Sequence, residues 1–125
     1  MINYLLVSAG AAIGGALRYG ISTYIQKNQS VIFPYGTLFV NIIGSFLLGI
    51  IMFYLNEKDL IGNEFRLFLT VGLCGGFTTF STFSYETLML IRDSELLLAF
   101  YNVILNVVLC FAGIYIAYLI SKLIG

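Results

Sequence analysis

The sequence has no histidine, no tryptophan and a single proline, and only two of its 125 residues are cysteine. Histidine is the side chain that most readily exchanges protons near neutral pH, so its absence removes the usual proton carrier. Cys74 and Cys110 lie in apolar segments without partner ligands, so we expect small buried residues rather than a zinc site or a disulfide. No carboxylate dyad and no nucleophile beside a base is visible, which argues against an enzyme.

Charge is scarce as well. Charged residues make up 10% of the chain, against about 25% in soluble proteins, and mean hydropathy is +0.99. Six basic and six acidic residues cancel, so no basic surface points to nucleic acid. The first residues, Met1 to Asn3, lack the basic residue of a signal peptide, and no clear cleavage site follows. We therefore predict a multi-pass protein of the cell membrane.

Four apolar segments are long enough to cross a bilayer, which takes about 20 helical residues. Short polar links separate them (QKNQS, NEKDLIGNE and RDSE), so there is no room for a soluble domain. Pro34 stands at the start of the second segment, where its missing N–H costs no hydrogen bond. The sequence predicts one all-α membrane domain over residues 1–125, with spans at about 3–25, 34–55, 65–91 and 96–123.

The basic residues favour neither orientation of these four spans. Three fall on the side of the termini and three on the other side: Lys58, Arg66 and Lys122 against Arg18, Lys27 and Arg92. Orientation follows the lysine and arginine bias of short loops, and here there is no bias. Two interpretations stay open. Either the chain inserts both ways and pairs with an inverted copy, or one residue is miscounted and a partner chain sets the topology.

Glycines also mark the spans as surfaces for close helix contact. Gly10 with Gly14, and Gly72 with Gly76, have the four-residue spacing that lets two helix backbones approach each other. Four thin helices do not easily enclose a polar path, so we expect an oligomer. The glycine pairs serve either that association or the packing of helices within one subunit.

The third span contains GLCGGFTTFSTFSYE, residues 72–86, where glycines precede a run of hydroxyl and aromatic residues. Two flexible positions followed by β-branched residues make a poor helix interior. We predict a break near the centre of this span, between Gly75 and Thr78, with freed carbonyls that face a cation and are covered by protein or water. The alternative is a continuous helix with a slight kink.

Polar residues on three spans make a candidate ion path. Phe80 and Phe83 share a helix face beside Ser81 and Thr82; ring edges and hydroxyls together can replace the water around a small anion. Four-residue spacing forms two further polar stripes: Thr37, Asn41 and Ser45 on the second span, and Asn102, Asn106 and Cys110 on the fourth. Such stripes indicate either an ion pathway or hydrogen bonds between helices. The alternative for Phe80 and Phe83 is that their rings simply face lipid or the core.

Two charged residues lie inside predicted spans. Arg18 either snorkels to the interface or lines a wet vestibule that attracts anions. Glu86 pairs with a cation, lies at the end of the row of polar residues on the third span, or lies at the opposite interface between membrane and water.

Three stretches carry a family resemblance: GGALRY, FPYGTLFVNIIGSFLLG and GLCGGFTTFSTFSYE. They resemble the Fluc (CrcB) family of microbial fluoride channels, and the likeness covers nearly the whole chain. The resemblance implies an antiparallel, dual-topology homodimer with two fluoride pathways and a central structural sodium ion. It also implies the function, a passive and selective export of fluoride. Some relatives are heterodimers of unequal chains, but the intact phenylalanine and glycine motifs here favour self-assembly.

The resemblance also assigns roles to individual residues. The backbone carbonyls of Gly75 and Thr78, from both subunits, would hold the sodium ion, and the ring edges of Phe80 and Phe83 would contact fluoride. Asn41 resembles the amide that lines the pore, and Arg18 resembles the arginine of the vestibule. Ser81 and Thr82 resemble part of the family's polar track, the row of polar side chains along the pore. In the fourth span many relatives have tyrosine and serine hydroxyls. Here that register offers Asn102, Asn106 and Cys110, with Tyr101 as a substitute for Asn102.

Two other functions remain as alternatives. A small dual-topology multidrug exporter has a similar size, but it needs an acidic residue in the first span, and residues 3–25 contain none. A structural protein that binds a partner inside the membrane would tolerate apolar replacements along the polar stripes without any loss of transport.

Overall fold

A computed structural model describes all residues, 1–125, as helices joined by short links, with no strand. Four helical spans are long and apolar enough to cross a membrane: Ile2–Lys27, Tyr35–Asn56, Asn63–Arg92 and Leu96–Ile124. We call them α1, α2, the third span and α5. The third span consists of α3 (residues 63–77) and α4 (Phe80–Arg92). The predicted all-α architecture with four spans is confirmed, and every span ends within two residues of its predicted limits.

Short links set the ends of the helices. Asp59 and Ser94 adopt left-handed backbone conformations (φ 55° and 62°) in the turns that follow α2 and α4. The longer link between α1 and α2 is tied down by Gln26, whose amide nitrogen donates to the Phe33 carbonyl over 2.9 Å. The side-chain oxygen of the same residue accepts from the Gly36 N–H over 3.1 Å. The start of α2 is thereby held against the end of α1.

Two stretches are wound as π-helix, Ile51–Asn56 at the end of α2 and Phe68–Cys74 within α3. Such winding is rare and often occurs near functional sites. In α3 it leads directly into Gly75–Phe77, the last helical residues before the centre of the third span.

Glycines bring α1 and α3 into backbone contact. A Cβ atom added at Gly10 or Gly14 would overlap the Phe68 or Leu73 carbonyl oxygen of α3. On the other helix, a Cβ at Gly76 would lie 2.7 Å from the Ala11 carbonyl oxygen. Both glycine pairs singled out in the sequence therefore pack helices within one subunit. They are not free to join two subunits.

The centre of the third span is not helical. α3 ends at Phe77 and α4 begins at Phe80, and the two residues between them are extended: Thr78 has φ −93° and ψ 159°, and Thr79 has φ −151° and ψ 120°. Gly75, one of the two residues predicted to bracket the break, is helical (φ −62°, ψ −38°). The extended conformation thus falls on β-branched threonines, which favour it, rather than on the glycines.

Candidate functional site

Asn41 of α2 binds the backbone of the extended pair. Its side-chain oxygen accepts from the Thr79 N–H over 2.8 Å, and its amide nitrogen donates to the Thr79 carbonyl over 3.2 Å. One side chain therefore satisfies both backbone groups of a residue that has left the helix. An unpaired backbone group at this depth costs several kcal/mol, so Asn41 stabilises the extended conformation.

Three asparagines continue from this contact as a chain of amides, which we call the amide ladder (Asn41, Asn106 and Asn102). Asn41 donates to the Asn106 side-chain oxygen over 3.0 Å, and Asn106 donates to the Asn102 side-chain oxygen over 3.0 Å. Asn102 donates to the Thr87 hydroxyl over 2.9 Å, and Thr87 donates to the Phe83 carbonyl over 2.8 Å. All three asparagines are buried. The ladder joins α2 and α5 to both ends of the first turn of α4.

Phe80 and Phe83 lie on this turn, and their surroundings differ sharply. Their ring centroids are 5.4 Å apart, yet Phe83 is only 8% exposed while Phe80 is 78% exposed. Both rings line a cavity of about 270 Å³ against the amide ladder. We call it the inner cavity. Its other lining residues are Asn41, Ser45, Thr78, Thr79, Asn106, Val107, Cys110 and Phe111.

Hydroxyl groups cluster at the start of α4. The Thr79 hydroxyl accepts from the Thr82 N–H over 3.2 Å and so caps the helix. The same oxygen lies 3.1 Å from the Thr82 hydroxyl and 3.4 Å from that of Ser81. Ser81 is exposed on the subunit. Three hydroxyls are thus gathered beside the two phenylalanines.

A second cavity, of about 440 Å³, opens where α1 ends and α2 begins, and no apolar side chain lines it. We call it the outer cavity. Its lining residues are Ser22, Thr23, Gln26, Lys27, Gly36, Thr37, Thr82 and Glu86. One carboxylate oxygen of Glu86 accepts from the Thr37 hydroxyl over 3.1 Å, and the other is buried without a partner. Thr82 of the outer cavity and Phe83 of the inner cavity are consecutive residues of α4.

The backbone carbonyls around the extended pair fall into two groups. The Gly76 carbonyl accepts from Arg18 Nε over 2.9 Å, and the Thr79 carbonyl accepts from Asn41. The carbonyls of Gly75, Phe77 and Thr78 take part in none of the turn, loop or side-chain hydrogen bonds. Gly75 is exposed, and Gly75 and Thr78 line a small cavity of about 120 Å³. Three backbone oxygens near the middle of the span therefore have none of these partners.

The chain also matches a known family. The family model described as "CrcB-like protein, Camphor Resistance (CrcB)" matches residues 5–118. The chain belongs to the CrcB family. It is a multi-pass protein of the cell membrane. Its CrcB relatives include a "Fluoride-specific ion channel FluC" of Shewanella amazonensis, 48% identical over 93% of each chain.

Two further relatives of this CrcB chain carry the same name. The one from Thermus thermophilus is 47% identical over 89% of this chain and 90% of its own. The one from Methylocella silvestris is 38% identical over 99% of this chain and 96% of its own. The match is therefore to whole proteins and not to a shared segment.

Most of the predicted site residues of this CrcB chain meet at the two cavities. Tyr101, offered as a substitute for Asn102, lies elsewhere: it is 46% exposed and lines an apolar cavity with Phe33 and Tyr35. Asn102, at 1% exposure, accepts from Asn106 within the amide ladder. Both cysteines are free, and Cys110 lies in the wall of the inner cavity.

Two residues with central contacts were missed by the sequence analysis. Thr79 caps α4 and binds Asn41, and Thr87 links the amide ladder to the Phe83 carbonyl. A signal for Thr79 was present, because threonine followed by a helical run is a preferred N-cap. No comparable signal marked Thr87, whose partner Asn102 comes from another helix.

Proposed function

We propose that this chain forms a fluoride-selective channel that lets fluoride leave the cell passively. The observation that carries the proposal is the identity of 48%, over 93% of both chains, with a relative named as a fluoride-specific ion channel. The inner cavity supports it, because two phenylalanine rings and a cluster of hydroxyls meet there beside a non-helical backbone.

Fluoride is small and holds its water strongly, so a selective pore has to offer several weak donors at short range. Hydroxyl hydrogens and the electropositive edges of aromatic rings meet that need without the deep trap that a cluster of cations would create. We propose that fluoride passes from the outer cavity along Thr82 and Ser81 to the rings of Phe80 and Phe83, beside Asn41. The contacts of fluoride with Asn102 and Asn106 that the family resemblance implies are not part of this proposed path, and any part for Cys110 stays a prediction.

We further propose that the working unit is an antiparallel homodimer. Lipid does not tolerate unpaired backbone groups, and Gly75, whose carbonyl accepts no turn, loop or side-chain hydrogen bond, is an exposed residue on a single subunit. The 78% exposure of Phe80, beside the inner cavity, likewise leaves room for a partner to complete the path. The even split of three basic residues on each side is what insertion in both orientations requires.

A structural sodium ion fits the same place, since hard cations bind backbone carbonyl oxygens. The carbonyls of Gly75 and Thr78 are the candidate ligands, because neither accepts a turn, loop or side-chain hydrogen bond and both residues line the small cavity beside the extended pair. No cluster of three acidic, cysteine or histidine residues offers another metal site. Two inverted subunits would bring both pairs of carbonyls together. The ion would neutralise these oxygens where the two subunits meet.

The experiment is ion efflux from liposomes that contain the purified chain, with fluoride compared to chloride. We expect fast fluoride efflux, negligible chloride efflux, and severe loss of fluoride efflux in Phe80→Ile and in Asn41→Asp. Phe100→Ile is the matched control, because Phe100 is exposed on α5 and lines neither the inner nor the outer cavity. Equal fluoride and chloride rates in the unaltered chain would refute the channel assignment.

The dimer needs a separate test of orientation. Gly125→Cys, in a chain whose two native cysteines are replaced by serine, places one thiol at the C-terminus. A membrane-impermeant thiol reagent applied to intact cells should label about half of the chains, and the rest should react only after permeabilisation. Labelling of all chains from one side would exclude inverted pairing. The efflux result would still stand.

A further inference from the structure

The amide ladder ends on the third span at two points, and both phenylalanines lie between them. At one end Asn41 holds the N–H and carbonyl of Thr79. At the other end Asn102 reaches the Phe83 carbonyl through the Thr87 hydroxyl. The ladder thus brackets the single turn that carries Phe80 and Phe83. A shift of either end would move the rings.

The donors of the ladder are largely engaged already. The amide nitrogen of Asn41 donates both to the Thr79 carbonyl and to the Asn106 side-chain oxygen. The amide nitrogen of Asn106 donates to the backbone and side-chain oxygens of Asn102, at 2.9 and 3.0 Å. Asn106 is 5% exposed and Asn102 is 1% exposed. For Asn106 to bind an ion, it would have to give up a buried hydrogen bond and leave the former acceptor unpaired, which is costly.

Asn106 also adds to the preference of the Asn41 amide for one of its two orientations. The last torsion of asparagine is broad and nearly two-fold, so an isolated amide exchanges its oxygen and nitrogen positions easily. In Asn41 such an exchange would turn the nitrogen toward the Thr79 N–H and the oxygen toward the Thr79 carbonyl, which are two repulsive contacts. The Asn106 oxygen accepts only from the Asn41 nitrogen and therefore selects the productive orientation.

We propose that Asn106 and Asn102 are positioning residues for the phenylalanine pair, acting through Asn41 and Thr87, and that they do not contact the permeating ion. The part of this statement that concerns the ion rests on the proposed channel function. The part that concerns position rests on the hydrogen bonds alone. Asn106 keeps Asn41 on the extended backbone, and Asn102 keeps the far end of the same turn in place.

The test is amide hydrogen exchange at Thr79, followed by NMR in detergent micelles or nanodiscs, in Asn106→Leu. We expect Thr79 to exchange at least about tenfold faster than in the unaltered chain, because its acceptor Asn41 is no longer held. Ser121→Ala is the matched control: Ser121 is another buried polar residue of α5, whose hydroxyl donates only to the Ala117 carbonyl. Its exchange at Thr79 should match that of the unaltered chain.

Unchanged exchange at Thr79 in Asn106→Leu would overturn the proposal. If that variant does not fold, Asn106→Ser carries the same test, because serine is too short to keep both contacts. A second readout is fluoride efflux in Asn41→Leu, Asn106→Leu and the double variant. Positioning through Asn41 predicts that the double variant loses no more than Asn41→Leu alone, whereas losses that multiply would indicate independent contacts with the ion.

The two readouts separate the proposal from the function on which it partly rests. Hydrogen exchange at Thr79 involves no ion flow. A chain that conducts no fluoride at all would refute the channel, and the exchange experiment would still decide the positioning role.

Discussion

The two halves of the third span are held in place by different forces. α3 lies against α1 with backbone touching backbone, because glycines on both helices remove the side chains that would separate them. α4 has no such contact; it buries Phe83 and Leu90 and forms hydrogen bonds with Asn41, Thr37 and Asn102. The first half is anchored by shape and the second by polar side chains. The extended residues Thr78 and Thr79 lie where one kind of support ends and the other begins.

This difference says where the molecule tolerates change. Where two backbones are in contact, a single added methyl group overlaps backbone atoms and lowers stability strongly. Removing one of several hydrogen bonds lowers stability less, because each contributes about 0.5–1.5 kcal/mol and the others remain. Substitutions in α3 should therefore affect folding first, and substitutions around α4 should affect ion flow first.

The largest effect is expected for Gly14→Ala, which tests the anchored half. The added Cβ would overlap the Leu73 carbonyl oxygen and lie 2.9 Å from the Phe77 nitrogen. Both are backbone atoms that cannot rotate away, so we expect a loss of about 3 kcal/mol in stability. Thermal unfolding in detergent measures it.

Gly20→Ala is the control, because nothing lies within 4 Å of the added Cβ at that position of α1. The comparison between the two halves would fail if Gly14→Ala and Gly20→Ala unfolded at the same temperature.

A smaller effect is expected for Arg18→Met, which removes the side-chain hydrogen bond from α1 to the end of α3. Arg18 donates from Nε to the Gly76 carbonyl over 2.9 Å, and a bond with a charged donor contributes about 1.5–3 kcal/mol. We expect a clear drop in the unfolding temperature together with slower fluoride efflux.

Arg18→Lys separates charge from geometry, since lysine keeps the charge but lacks the planar fork of donors. If the hydrogen bond to Gly76 is what matters, lysine should behave like methionine. Full recovery by lysine would show instead that Arg18 acts only as a positive charge near the ion path.

The smallest effect is expected for Thr37→Val on the hydrogen-bonded half. This nearly isosteric change removes the hydroxyl that donates to Glu86 over 3.1 Å and costs about 0.5–1.5 kcal/mol. We expect near-normal folding and fluoride efflux slowed by no more than about tenfold, as measured in liposomes.

Thr23→Val is the control for that change, because Thr23 lines the same outer cavity and makes no hydrogen bond through its side chain. Equal efflux in the two variants would mean that the contact between Thr37 and Glu86 has no part in ion flow.

The sequence was a good guide to the helices and a poorer one to their contacts. The lengths of the apolar segments predicted four spans to within two residues, because a bilayer imposes its thickness on any helix that crosses it. The break was predicted between Gly75 and Thr78, whereas the extended residues are Thr78 and Thr79 and Gly75 is helical. The reason lies outside the local sequence: the groups that stabilise Thr79 belong to Asn41, which is 38 residues away.

The sequence pattern indicated which residues make contacts between helices, but not which helices they contact. Glycine spacing predicted close approach, yet the same spacing serves contacts within or between subunits, and only the fold shows that α1 and α3 use it internally. The polar stripes likewise left open whether Asn41, Asn102 and Asn106 line a pathway or form hydrogen bonds between helices, and the structure shows the hydrogen bonds. The hydrogen bond from Arg18 to the Gly76 carbonyl could not be predicted. Every residue has a backbone carbonyl, so the sequence does not indicate which one accepts.

The outer cavity lies at one end of the subunit only, where α1 ends and α2 begins. A lone chain, or two parallel ones, would therefore have a hydrophilic mouth toward a single face of the membrane, and current would pass more readily one way than the other. An inverted pair has one mouth toward each face. Its current–voltage curve would be the same for either polarity, whichever way the assembly was inserted.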